Sequence, residues 1–266
     1  MSHHSNTFAL RHGAHQEPGS IAAMRARRSI PLLAFAIALV APASAFAAVS
    51  ENFDGVTAPA LPDGWTSAVA VGAGSTAPWV TKAVGHASSA PNALWADDVD
   101  DYADVRVTSP TYSLPATGSA TITFHHSYVL WAPDPSDQAN GVYSGGVLEV
   151  SINGGAFQDI VVAGGSFGAG GYSAQLDPTL DNPLMQPPQL GRSVWGGDSG
   201  GFVATTATLP ASAQGGTIAF RWRLGTEGGG RGYATYSGWW VDDFTCEACQ
   251  PAADDTIFKD GFDGPQ

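Results

Sequence analysis

Apolar and polar residues alternate most regularly in two segments near the C-terminal end of the chain. In residues 217–225 every second position is Ile, Phe, Trp or Leu, a period of two that predicts a β-strand with one buried face. Residues 238–245 predict a second strand, and the glycine-rich stretch between the two favours a loop. This second strand carries Asp242 and Asp243 among apolar neighbours. Because a buried charge needs a partner, the acid pair is the strongest indication of chemistry in the chain.

Shorter alternating segments predict further strands along the rest of the chain. Residues 147–152 and 157–162 flank Asn153 and Gly154, a dipeptide typical of a tight β-hairpin. Together the segments give roughly ten or eleven strands, which is enough for two packed sheets. The other predicted strands begin near residue 51 and cover residues 67–71, 79–84, 105–109, 120–128 and 202–209.

The N-terminal segment has the features of a signal peptide rather than of a folded domain. Residues 24–28 are basic, residues 30–40 are apolar, and small residues follow up to Ala47 and Ala48, where cleavage is expected. The apolar stretch is too short for a stable membrane span. We therefore predict an exported protein, secreted or held at the cell surface. The predicted parts are an extension and signal peptide in residues 1–48 (with Met24 as an alternative start), a domain in residues 49–249, and a tail in residues 250–266 that could serve sorting.

The charge of the chain becomes more acidic once the predicted signal peptide is removed. Four of the 11 Lys and Arg residues and one of the 24 Asp and Glu residues lie before the cleavage site, which leaves a net charge of −16. This charge argues against nucleic acid or an anionic membrane as a partner, since both would be repelled. It is compatible with calcium binding and with solubility outside the cell.

Several segments carry motifs known from one group of secreted bacterial domains. They are residues 51–65, 107–110, 145–155, 191–202, 220–226 and 238–243. With these motifs, residues 50–245 resemble the MAM-like, concanavalin-like modules, including the choice-of-anchor J type. The resemblance implies an all-β jelly-roll sandwich of two antiparallel sheets, a role in adhesion, substrate targeting or packing, and calcium near the first and last strands. Ser144 departs from the pattern, which has an acid there, so one possible metal ligand is missing.

Four carboxylates are the predicted calcium ligands. Glu51 and Asp54 lie on the predicted first strand, and Asp242 and Asp243 lie on the last. The terminal strands of a jelly roll are commonly adjacent, so these oxygens could converge on a hard cation. In the alternative interpretation, one aspartate of the pair is solvated and the other pairs with an arginine such as Arg221 or Arg223. The acidic residues 97–104 form a second calcium candidate, although a solvated loop is the favoured interpretation because the EF-hand spacing is absent.

Two other motifs favour structural interpretations over catalytic ones. Residues 197–201 read Gly-Asp-Ser-Gly-Gly, as at a chymotrypsin-like nucleophile, but no histidine stands in the matching context, and we predict a glycine turn. His125 and His126 are adjacent on a predicted strand, so they face opposite ways and cannot chelate one ion without a bulge. We predict one histidine in the core or an interface and the other on the surface.

The cysteines and several aromatic residues complete the candidates. Cys246 and Cys249 are the only cysteines, and export favours a disulfide between them that ends the last strand. Aromatic side chains in or beside loops could stack on a sugar, although core packing explains most tryptophans in a sandwich. The candidate ligand-binding residues are Trp131, Tyr143, Trp195, Tyr236 and Trp239.

These observations predict a non-catalytic, secreted or cell-surface binding or adhesion module, stabilised by calcium, whose partner is an extracellular glycan or protein surface. The alternative is a secreted carbohydrate-active or peptidase-associated enzyme. Glycosidase chemistry needs two carboxylates that face one cleft. Such a pair would have to come from Asp242, Asp243, Glu149 and Glu227.

Overall fold

The computed structural model describes residues 48–74, 76–83, 88–133, 141–185, 191–228 and 237–252. The predicted signal peptide, Tyr236 and residues 253–266 lie outside the described residues. Within them the chain forms strands and one turn of 3-10 helix at Ala211–Ala213. The strands are β1 Val49–Glu51, β2 Thr66–Val71, β3 Val80–Ala83, β4 Asn92–Ala96, β5 Ala103–Thr108, β6 Tyr112–Ser113, β7 Thr121–Val129, β8 Gly145–Ile152, β9 Gln158–Asp159, β10 Ser166–Ala169, β11 Ala174–Gln175, β12 Ser193–Val194, β13 Val203–Thr208, β14 Thr217–Thr226, β15 Gly238–Cys246 and β16 Gln250–Pro251.

The strands assemble into two seven-stranded sheets. The first, here called sheet A, has the order β10-β13-β7-β15-β4-β3, with β1 also paired to β15. The second, sheet B, has the order β16-β6-β14-β5-β2. Strand β14 pairs with β8 along its other edge, and β8 pairs in turn with β9. Strands β11 and β12 form a separate two-stranded ribbon. The pairings between these named strands are antiparallel, so the predicted all-β fold of two antiparallel sheets is confirmed.

The two predicted long strands, β14 and β15, occupy the middle of different sheets. Trp222 of β14 and Phe124 of β7 meet between the sheets, with ring centroids 5.4 Å apart. Trp222 also contacts Phe244 of β15 at 5.6 Å. These aromatic side chains are fully buried. The period-two pattern of the sequence thus marks the inner face of both sheets, where apolar burial stabilises the sandwich.

Local features agree with the sequence in most places and differ in two. Asn153 and Gly154 have positive φ angles of 52° and 70°, and β8 pairs with β9 across them, as the hairpin prediction requires. The second arm is shorter than predicted, because only Gln158–Asp159 pairs. Cys246 and Cys249 form the predicted disulfide. The chain then pairs once more, at Gln250–Pro251 with β6, so the sheet extends beyond the predicted end of the domain.

Candidate functional site

Alternation along β15 sends two adjacent tryptophans to opposite faces of sheet A. Trp239 is fully buried between the sheets, whereas Trp240 is half-buried on the outer face. Trp240 lies opposite Trp95 of β4 in the strand register, and the ring centroids are 5.8 Å apart with planes inclined by 42°. Trp95 is also half-buried. The two indoles form an aromatic pair on the outside of the sandwich, which we call the tryptophan platform.

Two contacts hold the tryptophan platform in place. The indole Nε1–H of Trp95 donates to the carbonyl of Ser237 at 2.8 Å, which fixes the edge of the ring. Lys82 of β3 places its Nζ 3.7 Å from the Trp95 ring centroid and 5.5 Å from that of Trp240. A cation over an indole face is a favourable electrostatic contact. The platform therefore combines a rigid apolar surface with a positive charge over the ring face of Trp95.

Next to the platform, Asp242 carries a carboxylate on the outer face of sheet A that is fully buried. Its Oδ2 accepts from the backbone N–H of Ser89 at 2.8 Å, and its Oδ1 accepts from the N–H of Asp243 at 2.8 Å. Burial raises the pKa of Asp242 to about 6, although the hydrogen bonds from Ser89 and Asp243 act in the opposite direction. The burial of this charge is offset by backbone and hydroxyl donors rather than by a cation.

Asp243 lies in a β-bulge that interrupts the register of β15 between Asp242 and Thr245. Its φ angle of 49° is in the left-handed region. Its Oδ2 lies 3.0 Å from Nδ1 of His125, which is itself 2.9 Å from the hydroxyl of Ser88. Burial would raise the pKa of Asp243, but hydrogen bonds from Ser88 and His125 lower it overall. The bulge thus turns two consecutive acids towards different donors.

Strand β1 lies beside β15, the strand that the sequence predicted to be the last, with Glu51 opposite Phe244. A cavity of about 340 Å³ runs between these strands, and both Glu51 and Asp243 line it. Glu51 accepts from the N–H of Phe53, and Asp54 accepts from Asn52 and from the N–H of Asn92. In the described part of the chain, no group of three or more His, Cys, Asp or Glu residues is placed to hold a metal ion. The four predicted calcium ligands are close in the fold, but only two share a cavity.

The arginine partners considered for the acid pair belong to the other sheet. Arg221 and Arg223 bind Glu149, at 2.8 Å for Arg221 Nε and 3.1 Å for Arg223 Nη1. Arg223 and Arg106 both bind Asp104. The interpretation that Arg221 or Arg223 pairs with Asp242 or Asp243 is therefore wrong, because these residues lie on different sheets. For the same reason Glu149 and Asp242 do not form the carboxylate pair of the alternative enzyme hypothesis.

Three of the candidate ligand-binding aromatics are buried. Trp195 is 1% exposed and Trp239 is fully buried, and their rings contact each other at 5.7 Å in the core. Trp131 is also buried and packs edge-on against Tyr143, which is half-buried. The prediction that Trp195 and Trp239 contact a ligand is wrong, since neither offers a ring face to solvent. Trp95 and Trp240 were missed, because alternation identifies two faces without showing which one is outside.

The Gly-Asp-Ser-Gly-Gly segment forms a turn. Gly197, Gly200 and Gly201 have positive φ angles, which glycine adopts readily. The Ser199 hydroxyl accepts from the N–H of Tyr128 and donates to backbone carbonyls, so it lies within a backbone hydrogen-bond network. The positive φ angles of the three glycines agree with the predicted turn.

The two adjacent histidines occupy opposite faces, as predicted. His126 is fully buried, where its Nε2 lies 2.9 Å from the hydroxyl of Thr205 and its Nδ1 accepts from the indole of Trp239. Burial lowers the pKa of His126 to about 3, with a smaller contribution from the charge of His125. His126 is therefore a neutral core residue, and His125 is the half-exposed partner of Asp243.

The acidic residues 97–104 are less solvated than predicted. Asp98 is buried and accepts from the N–H of Trp131 at 2.7 Å. Asp101 accepts from the N–H of Ala73 and from Thr76, and Asp104 is part of the arginine network. These carboxylates fix loops to the sandwich. Ser144, the residue that replaces an expected acid, is fully buried with no hydrogen-bond partner for its hydroxyl among the described residues.

No protein-family model and no curated protein matches the chain. Among solved structures, it is similar to the K2 cleaved adhesin domain of Lys-gingipain, at 15% identity over 75% of this chain and 99% of that one, with a TM-score of 0.39. The K1 domain of the same protein from Porphyromonas gingivalis W83 gives 15% identity, coverage of 76% and 98%, and a TM-score of 0.36. TmCBM61 in complex with β-1,4-galactotriose gives 12% identity, coverage of 74% and 99%, and a TM-score of 0.35.

With TM-scores of 0.35–0.39, these similarities assign neither a ligand nor an activity to this chain. In the described part of the chain, no helix has the length and apolar character needed to cross a membrane. The structure shows a sandwich of two antiparallel sheets with an aromatic pair on one outer face, and the resemblance to MAM-like modules stays a prediction.

Proposed function

We propose that this chain is an exported, non-catalytic binding module that contacts an extracellular glycan through the outer face of sheet A. The tryptophan platform carries the proposal. Trp95 and Trp240 are large apolar side chains that stay half-exposed on a sheet face, although the same chain buries Trp239 completely. Sugar rings stack their apolar C–H faces on aromatic rings of this kind, with polar groups at the rim.

Polar groups at the edge of the platform support a sugar ligand over a purely apolar one. Ser127 lies beside Trp240 in the strand register, and the Lys82 ammonium lies over the ring face of Trp95. His125 and Asp243 are exposed in part on the same face. Hydroxyl, ammonium, imidazole and carboxylate groups beside a stacked ring provide both donors and acceptors for sugar hydroxyls.

The test is binding of soluble oligosaccharides with different linkages to the full chain, measured by calorimetry. Trp240→Ala and Trp95→Ala should each weaken binding at least about tenfold, as expected for aromatic residues that carry most of the contact energy. Tyr143→Ala is the control, since it removes a candidate aromatic away from the platform. Loss of binding in the Tyr143 variant with retention in both tryptophan variants would refute the platform. If no glycan binds and a protein partner is lost in both tryptophan variants, the ligand class in the proposal is wrong.

Calcium is the second part of the proposal, now confined to Glu51 and Asp243. These two carboxylates line one cavity, and Asn52 and Thr245 line it with them. Calcium accepts carboxylate, amide and backbone oxygens together with water. Asp242 and Asp54 do not line this cavity, and their hydrogen bonds hold the neighbouring segments in position.

The melting temperature in EDTA and in millimolar calcium tests this part. A site filled well above its Kd should raise the melting temperature by about 5–10 °C in a domain of this size. The rise should disappear in Glu51→Gln and in Asp243→Asn. It should persist in Asp63→Asn, which removes an exposed acid outside the cavity. Equal melting temperatures in EDTA and calcium would refute the calcium site and leave the glycan proposal standing.

A further inference from the structure

A second cavity, of about 310 Å³, lies at the edge of sheet B, away from the tryptophan platform. Buried polar side chains line it at one side, and two valines line it at the other. Val161 and Val162 are 48% and 63% exposed, and they are two of the four large apolar side chains that are exposed in the described residues. The lining residues are Asp159, Val161, Val162, Tyr172, Arg192 and Ser193.

The polar side chains that line the cavity are held in place by hydrogen bonds to one another. The side chain of Arg192 is only 7% exposed, and its Nη2 donates to Asp159 at 2.9 Å and lies 3.4 Å from Glu149. The hydroxyl of Tyr172 donates to the same Asp159 oxygen at 2.8 Å. The Tyr172 hydroxyl also accepts a hydrogen bond from the backbone N–H of Leu148 in β8, at 3.3 Å. These bonds fix Arg192 and Tyr172 against the sheet.

Arg192 has donor capacity that these bonds do not use. Its Nε–H is buried and has no acceptor within the described residues. Buried polar groups are almost always paired, so such a group calls for a partner that the described residues do not supply. A guanidinium presents its donors as a planar fork that matches a carboxylate.

Arg192 also belongs to a larger network of charged side chains, in which it contacts two carboxylates, Asp159 and Glu149. Four arginines and three carboxylates form one connected network: Arg106, Arg192, Arg221 and Arg223 with Asp104, Glu149 and Asp159. Among the described residues this network has one more arginine than carboxylates, and Arg106, at the end away from Arg192, is 29% exposed.

We propose that this cavity binds a small carboxylate with a branched aliphatic body, whose carboxylate pairs with Arg192 and whose apolar part covers Val161 and Val162. The same chemistry occurs in a free short-chain carboxylic acid and at the C-terminus of a peptide that ends in an aliphatic residue. The volume and the exposed valines fit the aliphatic body, and the unused donors of Arg192 fit the acid. This site is independent of the tryptophan platform, so either proposal can fail alone.

The experiment is an NMR titration of the full chain with isovalerate and with N-acetyl-leucine, which represent the two sources. Isoamyl alcohol, which has the same aliphatic body without the acid, is the matched ligand control. We expect both acids to shift the backbone amides of Val161, Val162 and Ser193, and the alcohol to bind at least about tenfold more weakly. Tighter binding of N-acetyl-leucine would identify a peptide C-terminus, and tighter binding of isovalerate a free acid.

Two variants locate the site. Val162→Asp places a negative charge at the rim and should weaken binding of both acids at least about tenfold. Val71→Asp is the control, because Val71 is 42% exposed on another strand. Arg192→Lys keeps the positive charge but removes the planar pair of guanidinium donors, so the folded variant should also bind both acids more weakly. The proposal is overturned if neither acid binds at millimolar concentration, if the alcohol binds equally well, or if the two valine variants behave alike.

Discussion

The two outer faces of the sandwich bury carboxylates in different ways. On sheet B, Glu149 and Asp104 are buried against arginines, whose charges and hydrogen bonds lower the pKa of both acids even though burial alone would raise it. On sheet A, Asp242 is buried against backbone N–H groups and a serine, and its pKa rises to about 6. Neutral donors replace less of the lost hydration than a paired guanidinium does. The arginines on sheet B therefore favour the ionised form of Glu149 and Asp104, whereas the surroundings of Asp242 on sheet A favour its protonated form.

This difference gives the two faces opposite responses to pH. Stability from Glu149 and Asp104 is present above the usual pKa of an acid and is lost as the pH falls through their lowered pKa values. Stability linked to Asp242 is greatest below the usual pKa and is lost as the pH rises through about 6. Sheet B is thus a fixed structural network, whereas sheet A contains an acid whose protonation changes near neutral pH, close to the tryptophan platform.

The largest expected effect comes from Glu149→Gln. This change leaves Arg221, Arg223 and Arg192 without the carboxylate that they share, and uncompensated buried charge destabilises a fold by about 3–5 kcal/mol. Urea unfolding at pH 7 measures the loss, which should shrink as the pH falls below the usual glutamate pKa of 4.5 and through the lowered pKa of Glu149. A loss under 1 kcal/mol at pH 7 would show that the arginines do not depend on Glu149.

Asp242→Asn should have an intermediate effect whose pH dependence has the opposite sign. Asparagine replaces one of the two oxygens that accept backbone N–H groups with an NH2 group, but it removes the charge that burial disfavours. The stability of the variant relative to the wild type should therefore rise as the pH rises from 4 to 7. A shift of the pKa from 3.8 to about 6 corresponds to roughly 2–3 kcal/mol at pH 7. Unfolding curves for both proteins across this pH range test the sign. If calcium binds close by and favours the charged acid, the gain should be smaller in calcium than in EDTA.

The smallest effect is expected for Arg106→Gln. Arg106 is 29% exposed, and Asp104 keeps its two hydrogen bonds from Arg223 when Arg106 is removed. Half-exposed ion pairs contribute about 0–1 kcal/mol, and the same urea unfolding measurement at pH 7 should find a change in this range. A loss as large as that of Glu149→Gln would mean that the network acts as one cooperative unit rather than as separate pairs.

Sequence pattern was sufficient for the elements whose structure depends on nearby residues. The alternation in β14 and β15, the Asn153-Gly154 hairpin and the opposite orientations of His125 and His126 all follow from the period of a strand and from local turn geometry. The disulfide between Cys246 and Cys249 follows from their being the only cysteines. The expected contact of the first strand with the strand that carries Asp242 and Asp243 is also observed, as the pairing of β1 with β15.

Only the tertiary structure decided which face of each strand is outside and which charges meet. Two adjacent tryptophans on a strand point to opposite faces, but the sequence does not show which face is buried. Only the structure shows that Trp239 enters the core while Trp240 packs with Trp95 on the outer face. The arginine partners of Glu149 are more than 40 residues away along the chain. Arg192 directly precedes β12, and Arg221 lies in β14. Contacts between distant segments depend on how the sheets pack, and the period of an isolated strand contains no information about that packing.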